Sequence, residues 1–236
     1  PYFQPVVSLP DLRIVGVEAL IRWVHPTHGI IPPAEFIPEA ERSGLVRDID
    51  AATWRQACAT VAALDVPLTV TLSVNLSAAD LDFPQLAPTI DSCLTSADLP
   101  ADRLIVEVTE TALSQDWNRS RRRLEAVRSL GVRVAVDDFG AGHMYLDRLG
   151  TGLFDILKID RSLVVLTEST DTRSVRLLEG VVSLAHSLGM TVTAEGVETA
   201  EQEKRVLDAG CDRAQGYRYG YPMSNADLST LVAAGG

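Results

Sequence analysis

Hydrophobic and polar residues alternate along this chain in short runs, and apolar residues recur at helical spacing between those runs. Alternation with a period of two predicts β-strands. Eight such segments cover residues 3–8, 13–23, 68–76, 103–109, 132–137, 154–159, 190–195 and 212–217. A helical pattern covers 174–188, where the recurring apolar positions are Leu177, Leu178, Val181, Val182, Ala185 and Leu188. Strands that alternate with helices indicate βα units and a parallel sheet.

Two of these units resemble each other in sequence. The segments SLGVRVAVD and SLGMTVTAE run from Ser129 to Asp137 and from Ser187 to Glu195. Both place a helix end, Leu-Gly, a strand and an acid in the same register, and the shorter AGCDRAQ ends similarly at Gln215. The pattern predicts a repeated structural unit.

Each predicted strand has one apolar face and one small or polar face. In the third strand, Leu72 and Val74 alternate with Ser73 and Asn75. An open sheet covered by helices on both sides would be apolar on both faces, whereas a closed barrel turns its polar faces inward. The chain has 236 residues and is 46% hydrophobic, which suits one barrel of about 250 residues. We therefore predict a (β/α)₈ TIM-like barrel.

Charge and composition narrow the possible partners. The formal net charge of −11 argues against binding of polymeric nucleic acid or of an anionic membrane surface. No apolar run approaches the ~20 residues of a membrane span, and we expect no signal segment within these residues. Cys58, Cys93 and Cys211 are widely spaced, which fits a reducing compartment. We expect one cytoplasmic domain over 1–236, excised from a longer protein that could be membrane-anchored elsewhere.

Polar residues recur near the ends of the predicted inner faces, mostly one βα unit apart. They are Glu18, Asn75, Glu107, Asp137, Lys158, Glu195 and Gln215. Barrel enzymes carry their chemistry at these strand ends. Carboxylate and amide oxygens without grouped His or Cys favour Mg²⁺ or Mn²⁺, and the adjacent Asp137 and Asp138 could serve two metals roughly 3.5–4 Å apart.

A structural interpretation competes at each position. Any one acid alone could cap a helix or be solvated, and Lys158 could form a structural ion pair; only the joint recurrence favours a site. His25 and His28 lie in a proline-rich loop and are poor metal candidates, and His186 reads as structural. Asp138 faces away from the barrel by strand parity, but the glycines at 140 and 142 would let the chain turn it back.

The motifs at these positions resemble those of the EAL-domain family of cyclic di-GMP phosphodiesterases. EALIRW at 18–23 is similar to the signature that names the family. Further similar segments, in order, are HPTHGIIPPAEFIPEAERSGLV, SVNLS, IVEVTET, VDDFGAG, LKIDRSLV, AEGVETAEQ and AQGYRYGYPM. They span nearly the whole chain, and the part of the domain before YFQP is expected to lie upstream.

The resemblance implies an antiparallel first strand and hydrolysis of cyclic di-GMP to linear pGpG with two Mg²⁺ or Mn²⁺ ions, with Ca²⁺ inhibiting. It implies a homodimer through the loop and helix after Asp138. It also implies roles for individual residues: metal ligands Glu18, Asn75, Glu107, Asp137, Asp138 and Glu195; catalytic Lys158, Glu195 and Gln215; nucleotide contacts Gln4, Leu20 and Arg22; and support by Glu110 for the loop after the paired Asp and by Glu198 for the metal ligands.

Two departures from the family pattern leave alternatives open. His143, Met144 and Tyr145 stand where many active members have Tyr-Ser-Ser, and Tyr221 stands where a basic residue is common. The alternative functions are a cyclic di-GMP sensor that does not hydrolyse it and a domain that regulates an attached partner. An unrelated Mg²⁺-dependent barrel lyase ranks last, since it would not require the EAL-like segments.

Overall fold

The protein is described from a computed structural model, which covers residues 1–64, 70–141, 146–167 and 172–235. The strands are β1 (Tyr2–Ser8), β2 (Ile14–Leu20), β3 (Trp23–His25), β4 (Gly29–Ile31), β5 (Thr71–Leu76), β6 (Leu104–Thr109), β7 (Arg133–Phe139), β8 (Ile156–Ile159), β9 (Thr191–Ala194) and β10 (Arg213–Gln215). The helices are α1 (Pro33–Ser43), α2 (Val46–Ala63), α3 (Ala78–Leu81), α4 (Leu86–Ala97), α5 (Glu110–Gln115), α6 (Trp117–Arg128), α7 (Leu146–Leu149), α8 (Arg161–Leu166), α9 (Thr172–Ser187), α10 (Ala200–Asp208) and α11 (Asn225–Gly235).

Eight strands close into a barrel in the order β1-β10-β9-β8-β7-β6-β5-β2. β1 is antiparallel to both of its neighbours, whereas the other neighbouring pairs are parallel. The predicted TIM-like barrel and its antiparallel first strand are thus confirmed. Because β1 runs in reverse, its early residue Gln4 pairs with Glu18, late in β2. The reversed strand therefore brings Gln4 to the barrel end where the parallel strands finish.

The alternation along each strand separates two apolar cores. The outward-facing residues, such as Leu72, Val106 and Val134, belong to the large cluster that the strands share with the surrounding helices. Inside the barrel only a small apolar cluster forms among the described residues, from Ile105, Ala135 and Ile156. Above this cluster the interior is polar. The predicted inward orientation of the polar faces is therefore correct, and it concentrates polar side chains at one end.

The first of the two similar sequence units is fastened by Asp155 at the opposite end of the barrel. Its Oδ1 accepts a hydrogen bond from Arg128 Nη2 at 3.0 Å, and its Oδ2 accepts one from the Val134 backbone N–H at 2.9 Å. One carboxylate thus ties the end of α6 to the start of β7. Carboxylates that accept from a guanidinium and a backbone amide make strong hydrogen bonds.

Asp212 performs the same task in the second unit. Its Oδ2 lies 2.9 Å from His186 Nε2 and accepts a hydrogen bond from the Val192 backbone N–H at 2.7 Å. His186 occupies the position that Arg128 has in the first unit, immediately before Ser-Leu-Gly. The predicted repeat is therefore a repeat of contacts as well as of sequence, and His186 is structural as expected.

The predicted strand over 13–23 is wrong at its far end. β2 stops at Leu20, and the chain then forms a separate β3–β4 hairpin before α1. Ile21, Arg22 and Trp23 continue the apolar-polar alternation of β2, so periodicity alone could not show the break. The ring of Trp23 packs edge-on against Phe36 of α1, with centroids 5.7 Å apart, which fixes the hairpin on the helical layer. In the part of the chain described, no helix combines the length and apolarity that membrane crossing requires.

Candidate active site

Lys158 occupies the centre of the polar barrel end, among four carboxylates. Its Nζ lies 2.5 Å from Glu107, 2.7 Å from Glu195, 3.2 Å from Asp137 and 3.5 Å from Glu18. The Lys158 side chain is 4% exposed, so these are buried contacts in which charges are only weakly screened. The structure thus brings together residues from five different strands or strand ends that the sequence placed at equivalent positions.

An amide network links the remaining predicted residues to Glu18. Asn75 Nδ2 donates to Glu18 Oε1 at 2.9 Å, and Gln215 Nε2 donates to Glu18 Oε2 at 2.7 Å. The Gln215 amide also lies 3.1 Å from Gln4 Oε1, and Gln4 Nε2 donates to the Gly220 carbonyl at 3.0 Å. Glu18 is therefore held in one orientation by two donors, and its neighbours are held in turn.

A β-bulge explains how two consecutive aspartates reach the same site. Val136 pairs with Leu157 and Phe139 pairs with Ile159, so β7 contains one residue more than β8 between these two pairs. The residue that absorbs the bulge is Asp138, whose φ of 57° lies in the left-handed region, which Asp tolerates better than most residues. Its backbone N–H donates to Asp137 Oδ1 at 2.9 Å.

Asp138 therefore lies at the barrel end despite the parity of a regular strand. The next residue that the turn constrains is Gly140, with φ of 106°. A Cβ at this glycine would stand 2.3 Å from Leu163 Cδ1, so a larger residue would require the Leu163 side chain to shift and would also strain the backbone.

The donor set suits a divalent cation. Oxygens of Asp137, Asp138 and Glu195 all lie within 4.8 Å of one another, and Glu18 and Glu107 border the same space through their contacts with Lys158. The buried Gln215 Oε1 accepts no hydrogen bond within the described residues. All donors in the set are oxygens, which hard cations such as Mg²⁺ and Mn²⁺ prefer. The residues present fit the metal site that the sequence predicted.

Crowding shifts the proton affinities of the cluster. Burial, together with neighbouring carboxylates, raises the pKa of Glu107 to about 8 in spite of Lys158. For the same reasons, burial first, the pKa of Glu195 is well above its ordinary value, and that of Asp138 is raised. Burial alone would lower the pKa of the Lys158 ammonium, but the carboxylates around it outweigh burial and raise that pKa well above its usual range. The carboxylates thus favour the protonated form of Lys158, which can donate hydrogen bonds.

Two clefts flank the carboxylate cluster. The first, which we name the Arg22 cleft, has about 460 Å³ and is lined by Leu20, Arg22, Asn75 and Thr109, among others. The second, the Tyr217 cleft, has about 280 Å³ and includes Tyr217 with Gln4, Glu18, Glu195 and Gln215. The three predicted nucleotide-contacting residues therefore divide between the two clefts, with Leu20 and Arg22 on one side and Gln4 on the other.

Asp50 and Asp80, which sequence reasoning missed, form a carboxyl pair beside the Arg22 cleft. Ser77 donates to Asp80 Oδ2 through its backbone N–H at 2.8 Å and its hydroxyl at 2.6 Å. These bonds favour the charged form of Asp80, although burial still raises its pKa. Burial, followed by the Asp80 charge, raises the pKa of Asp50 to about 8. The Ser-x-x-Asp pattern that caps α3 can be recognised in the sequence. The contact of Asp80 with an acid thirty residues earlier cannot be predicted from it.

The two predicted supporting residues lie close to the site. Glu198 lines the Tyr217 cleft and pairs with Arg161 Nη2 at 3.0 Å, and its predicted support of the metal ligands stays a prediction. Glu110 is buried as the first residue of α5, directly after β6, and its predicted role in holding the following loop stays a prediction. His143, Met144 and Tyr145 lie outside the described residues.

Comparison with known proteins places this geometry in context. The model of the EAL domain matches residues 1–222. An uncharacterised signalling protein of Caulobacter vibrioides is 40% identical over 234 residues, which are 99% of this chain and 29% of that protein. The cyclic di-GMP phosphodiesterase RocR of Pseudomonas aeruginosa is 37% identical over 94% of this chain and 57% of its own length.

Solved structures resemble the chain over almost all of its length. The cyclic di-GMP complex of the PaMucR phosphodiesterase has a TM-score of 0.89 and 33% identity, covering 96% of this chain and 92% of that one. The calcium and cyclic di-GMP complex of BlrP1 from Klebsiella pneumoniae has a TM-score of 0.85 and 31% identity, covering 95% and 55%. With its barrel, its paired aspartates and the match across residues 1–222, this chain belongs to the EAL domain family.

Proposed function

We propose that this domain hydrolyses cyclic di-GMP to linear pGpG with the help of two divalent metal ions, Mg²⁺ or Mn²⁺. The observation that carries the proposal is the convergence of Glu18, Glu107, Asp137 and Glu195 on Lys158 at one barrel end. Relatives named as cyclic di-GMP phosphodiesterases support the choice of substrate. Since the chain spans 29% of the Caulobacter signalling protein and 57% of RocR, the proposal concerns this domain alone.

The metal ligands in this proposal are the oxygens of Glu18, Asn75, Glu107, Asp137, Asp138 and Glu195. When bound, two divalent ions would neutralise phosphate charge and acidify a water molecule, which is the chemistry that phosphodiester cleavage needs. The same cations would let a domain with a formal charge of −11 accept an anionic substrate. Ca²⁺, with its longer and looser coordination, is predicted to inhibit turnover.

The protein's own side chains bind and orient the substrate in this proposal. In this proposal Lys158, whose Nζ lies 2.7 Å from Glu195, donates a hydrogen bond to the attacking water or to a phosphate oxygen. Gln215 couples that region to Gln4 and Glu18 through its amide. Arg22, in the adjoining cleft, offers a guanidinium that can contact phosphate oxygens in pairs. The clefts on either side of the cluster suit a substrate that carries a bulky base on each side of its phosphodiesters.

The proposal is tested by incubating the purified chain with cyclic di-GMP and Mg²⁺ or Mn²⁺ and separating the nucleotides chromatographically. We expect linear pGpG from the wild type and from Glu179→Ala, a control on the exposed face of α9. We expect none from Glu18→Ala, which removes the acceptor of Asn75 and Gln215. Binding without turnover under either metal would contradict hydrolysis and indicate a sensor.

We further propose a homodimer formed through the segment after Asp138 and α7. Leu146 opens α7 and is 61% exposed, which leaves apolar surface for a second copy. Light scattering coupled to size exclusion should give twice the chain mass, and Leu146→Glu should lower it. A monomer across the working concentration range would refute the dimer and leave the hydrolysis proposal unaffected.

A further inference from the structure

The end of the barrel opposite the Lys158 cluster carries arginines on its inner face. β7 begins with Arg133 and β10 begins with Arg213. Arg133 lies two residues before the interior residue Ala135, and Arg213 lies two residues before Gln215. Because alternate residues of a strand share a face, both arginines belong to the inward face. We call this end of the barrel, defined by Arg133 and Arg213, the arginine mouth.

The two guanidinium groups of the arginine mouth interact across the barrel. β8 and β9 separate β7 from β10 in the barrel order, so the two side chains meet across the interior. Burial, followed by the positive charge of Arg133, lowers the pKa of Arg213. Both residues are half-buried, so water screens their repulsion only in part. Two like charges therefore share one mouth of the barrel.

The acids at this end of the barrel do not pair with these arginines. Asp155 and Asp212 each bind the basic residue of the preceding helix and a backbone N–H. The charge of Asp212 raises the pKa of Arg213, but less than burial lowers it. Among the described residues, no carboxylate forms an ion pair with Arg133 or Arg213. The positive charge of the arginine mouth is therefore left without an adjacent counter-ion from this part of the chain.

Several donors of these arginines are available to an acceptor. Arg133 Nη2 donates to the Asp102 carbonyl at 3.0 Å, but its buried Nε donates to no described residue. The neighbouring Arg103 is only 6% exposed, and its Nε donates to the Val70 carbonyl at 2.9 Å, whereas its buried Nη2 has no partner in the described chain. Within the same residues the Arg213 side chain makes no hydrogen bond. Buried donors without acceptors destabilise a fold, so an acceptor bound here would stabilise it.

The space above Arg213 limits where a ligand can lie. Arg213 borders an interior cavity of about 10 Å³ together with the small hydroxyl residues Thr71, Ser73 and Thr193. A cavity needs roughly 10–15 Å³ to hold one water molecule, so a larger ion cannot enter it. A ligand of the two arginines must therefore lie in the mouth itself, where both side chains reach solvent.

We propose that Arg133 and Arg213 bind a phosphate-type oxyanion in the arginine mouth, with Arg103 beside them. A guanidinium group donates to two phosphate oxygens at once. A dianion between two such groups replaces their mutual repulsion by two attractions, and a single carboxylate would balance only one of the charges. The ligand is a free phosphate ion or the phosphate group of a monoester. The inference does not depend on the proposed hydrolysis, since the site lies at the other end of the barrel.

The test is calorimetric titration of the whole chain with inorganic phosphate at constant ionic strength. The protein is first dialysed against EDTA and then against EDTA-free buffer, so that no metal ion at the carboxylate cluster binds phosphate. We expect saturable binding by the wild type and an affinity about tenfold or more lower in Arg213→Gln and in Arg133→Gln, because each loses a charged donor. Arg13→Gln is the matched control. Arg13 lies at the same end of the barrel, but its side chain is 80% exposed and pairs with Asp11, so its loss should leave the affinity unchanged.

Thermal unfolding gives a second measurement that does not require a weakened variant. In phosphate-free buffer Arg213→Gln should melt at a higher temperature than the wild type, because the repulsion from Arg133 is removed. Added phosphate should raise the melting temperature of the wild type and raise that of Arg213→Gln by less. A lower melting temperature of Arg213→Gln in phosphate-free buffer, or an equal rise in both proteins, would contradict the site.

The remaining outcomes also decide the inference. Absence of saturable phosphate binding by the wild type, or an equal loss of affinity in Arg13→Gln, would overturn it. Binding that is lost in Arg22→Gln and kept in Arg213→Gln would place the phosphate at the candidate active site and would overturn it as well. Glycerol 2-phosphate distinguishes the two sources of the ligand. Tighter binding of this ester than of inorganic phosphate identifies a monoester, weaker binding identifies the free ion, and either result supports the site.

Discussion

Replacing Asp50 by asparagine tests the carboxyl pair beside the Arg22 cleft. The Asp50 carboxyl group has a pKa of about 8, against 3.8 for the unperturbed group, because it is buried beside the Asp80 charge. Its Oδ2 is buried and accepts no hydrogen bond in the described part of the chain. A protonated Asp50 that donates to Asp80 accounts for both features. Asparagine donates from the same position without titrating, so Asp50→Asn imitates the protonated acid at every pH.

The direction of the pH dependence follows from the raised pKa. A group whose pKa is higher in the folded protein than in the unfolded chain stabilises the fold at pH values below its unfolded-state pKa. That contribution is lost as the pH rises through its folded-state pKa. One proton changes the free energy of unfolding by about 1.4 kcal/mol per pH unit within that window. Raising the pH from 5 to 7.5 should thus lower the free energy of unfolding of the wild type by at most about 3 kcal/mol. The figure is an upper limit because the pKa of Asp80 is raised as well.

The assay is urea unfolding followed by circular dichroism at several pH values from 5 to 8. We expect wild type and Asp50→Asn to have similar stability at pH 5, and the variant to become progressively more stable as pH rises. Asp48→Asn is the matched control, since Asp48 is exposed on the same helix. A stability difference between Asp50→Asn and wild type that stays constant with pH, or shrinks as pH rises, would refute the shared proton.

Three further predictions concern the barrel ends. Because the pKa of Glu107 is raised to about 8, protons must leave the cluster on metal binding, so calorimetry should show Mn²⁺ affinity increasing from pH 6 to pH 8; a pH-independent affinity would argue against this site. Gly140→Ala, whose Cβ would meet Leu163 at 2.3 Å, should lower the melting temperature, and an unchanged one would contradict the close packing. Asp155→Ala removes the acceptor of Arg128 and Val134. In urea titrations it should lower the free energy of unfolding by about 1.5–3 kcal/mol. A loss of hydrolysis in this variant would show that the two ends of the barrel are coupled.

Period-two alternation was sufficient to predict the barrel and most of its polar centre. A strand face that is polar on the inside and apolar on the outside is compatible with few architectures, and the spacing of one βα unit fixed which residues meet. Glu107, Lys158 and Glu195 could be grouped this way because each ends an inward face. The same argument failed for Asp138, since the bulge at β7 moves it to the site against parity.

Contacts between elements distant in sequence could not be predicted. Asp50 and Asp80 belong to α2 and α3, and nothing in either helix alone indicates that their carboxyl groups meet. The rings of Tyr217 and Tyr221, whose centroids lie 4.4 Å apart, meet because of the way the loop after β10 turns back to β1. The start of the β3–β4 hairpin could not be seen because Ile21, Arg22 and Trp23 prolong the alternation of β2.

The central claim is that the carboxylate cluster around Lys158 is a metal-dependent hydrolytic centre. The most direct test follows the fate of cyclic di-GMP in one mixture of the wild-type chain, first with EDTA and then after excess Mn²⁺ is added. The account predicts intact cyclic di-GMP until the metal is added and accumulation of linear pGpG afterwards. Cyclic di-GMP that stays intact with Mn²⁺, or that is cleaved equally in EDTA, would contradict it.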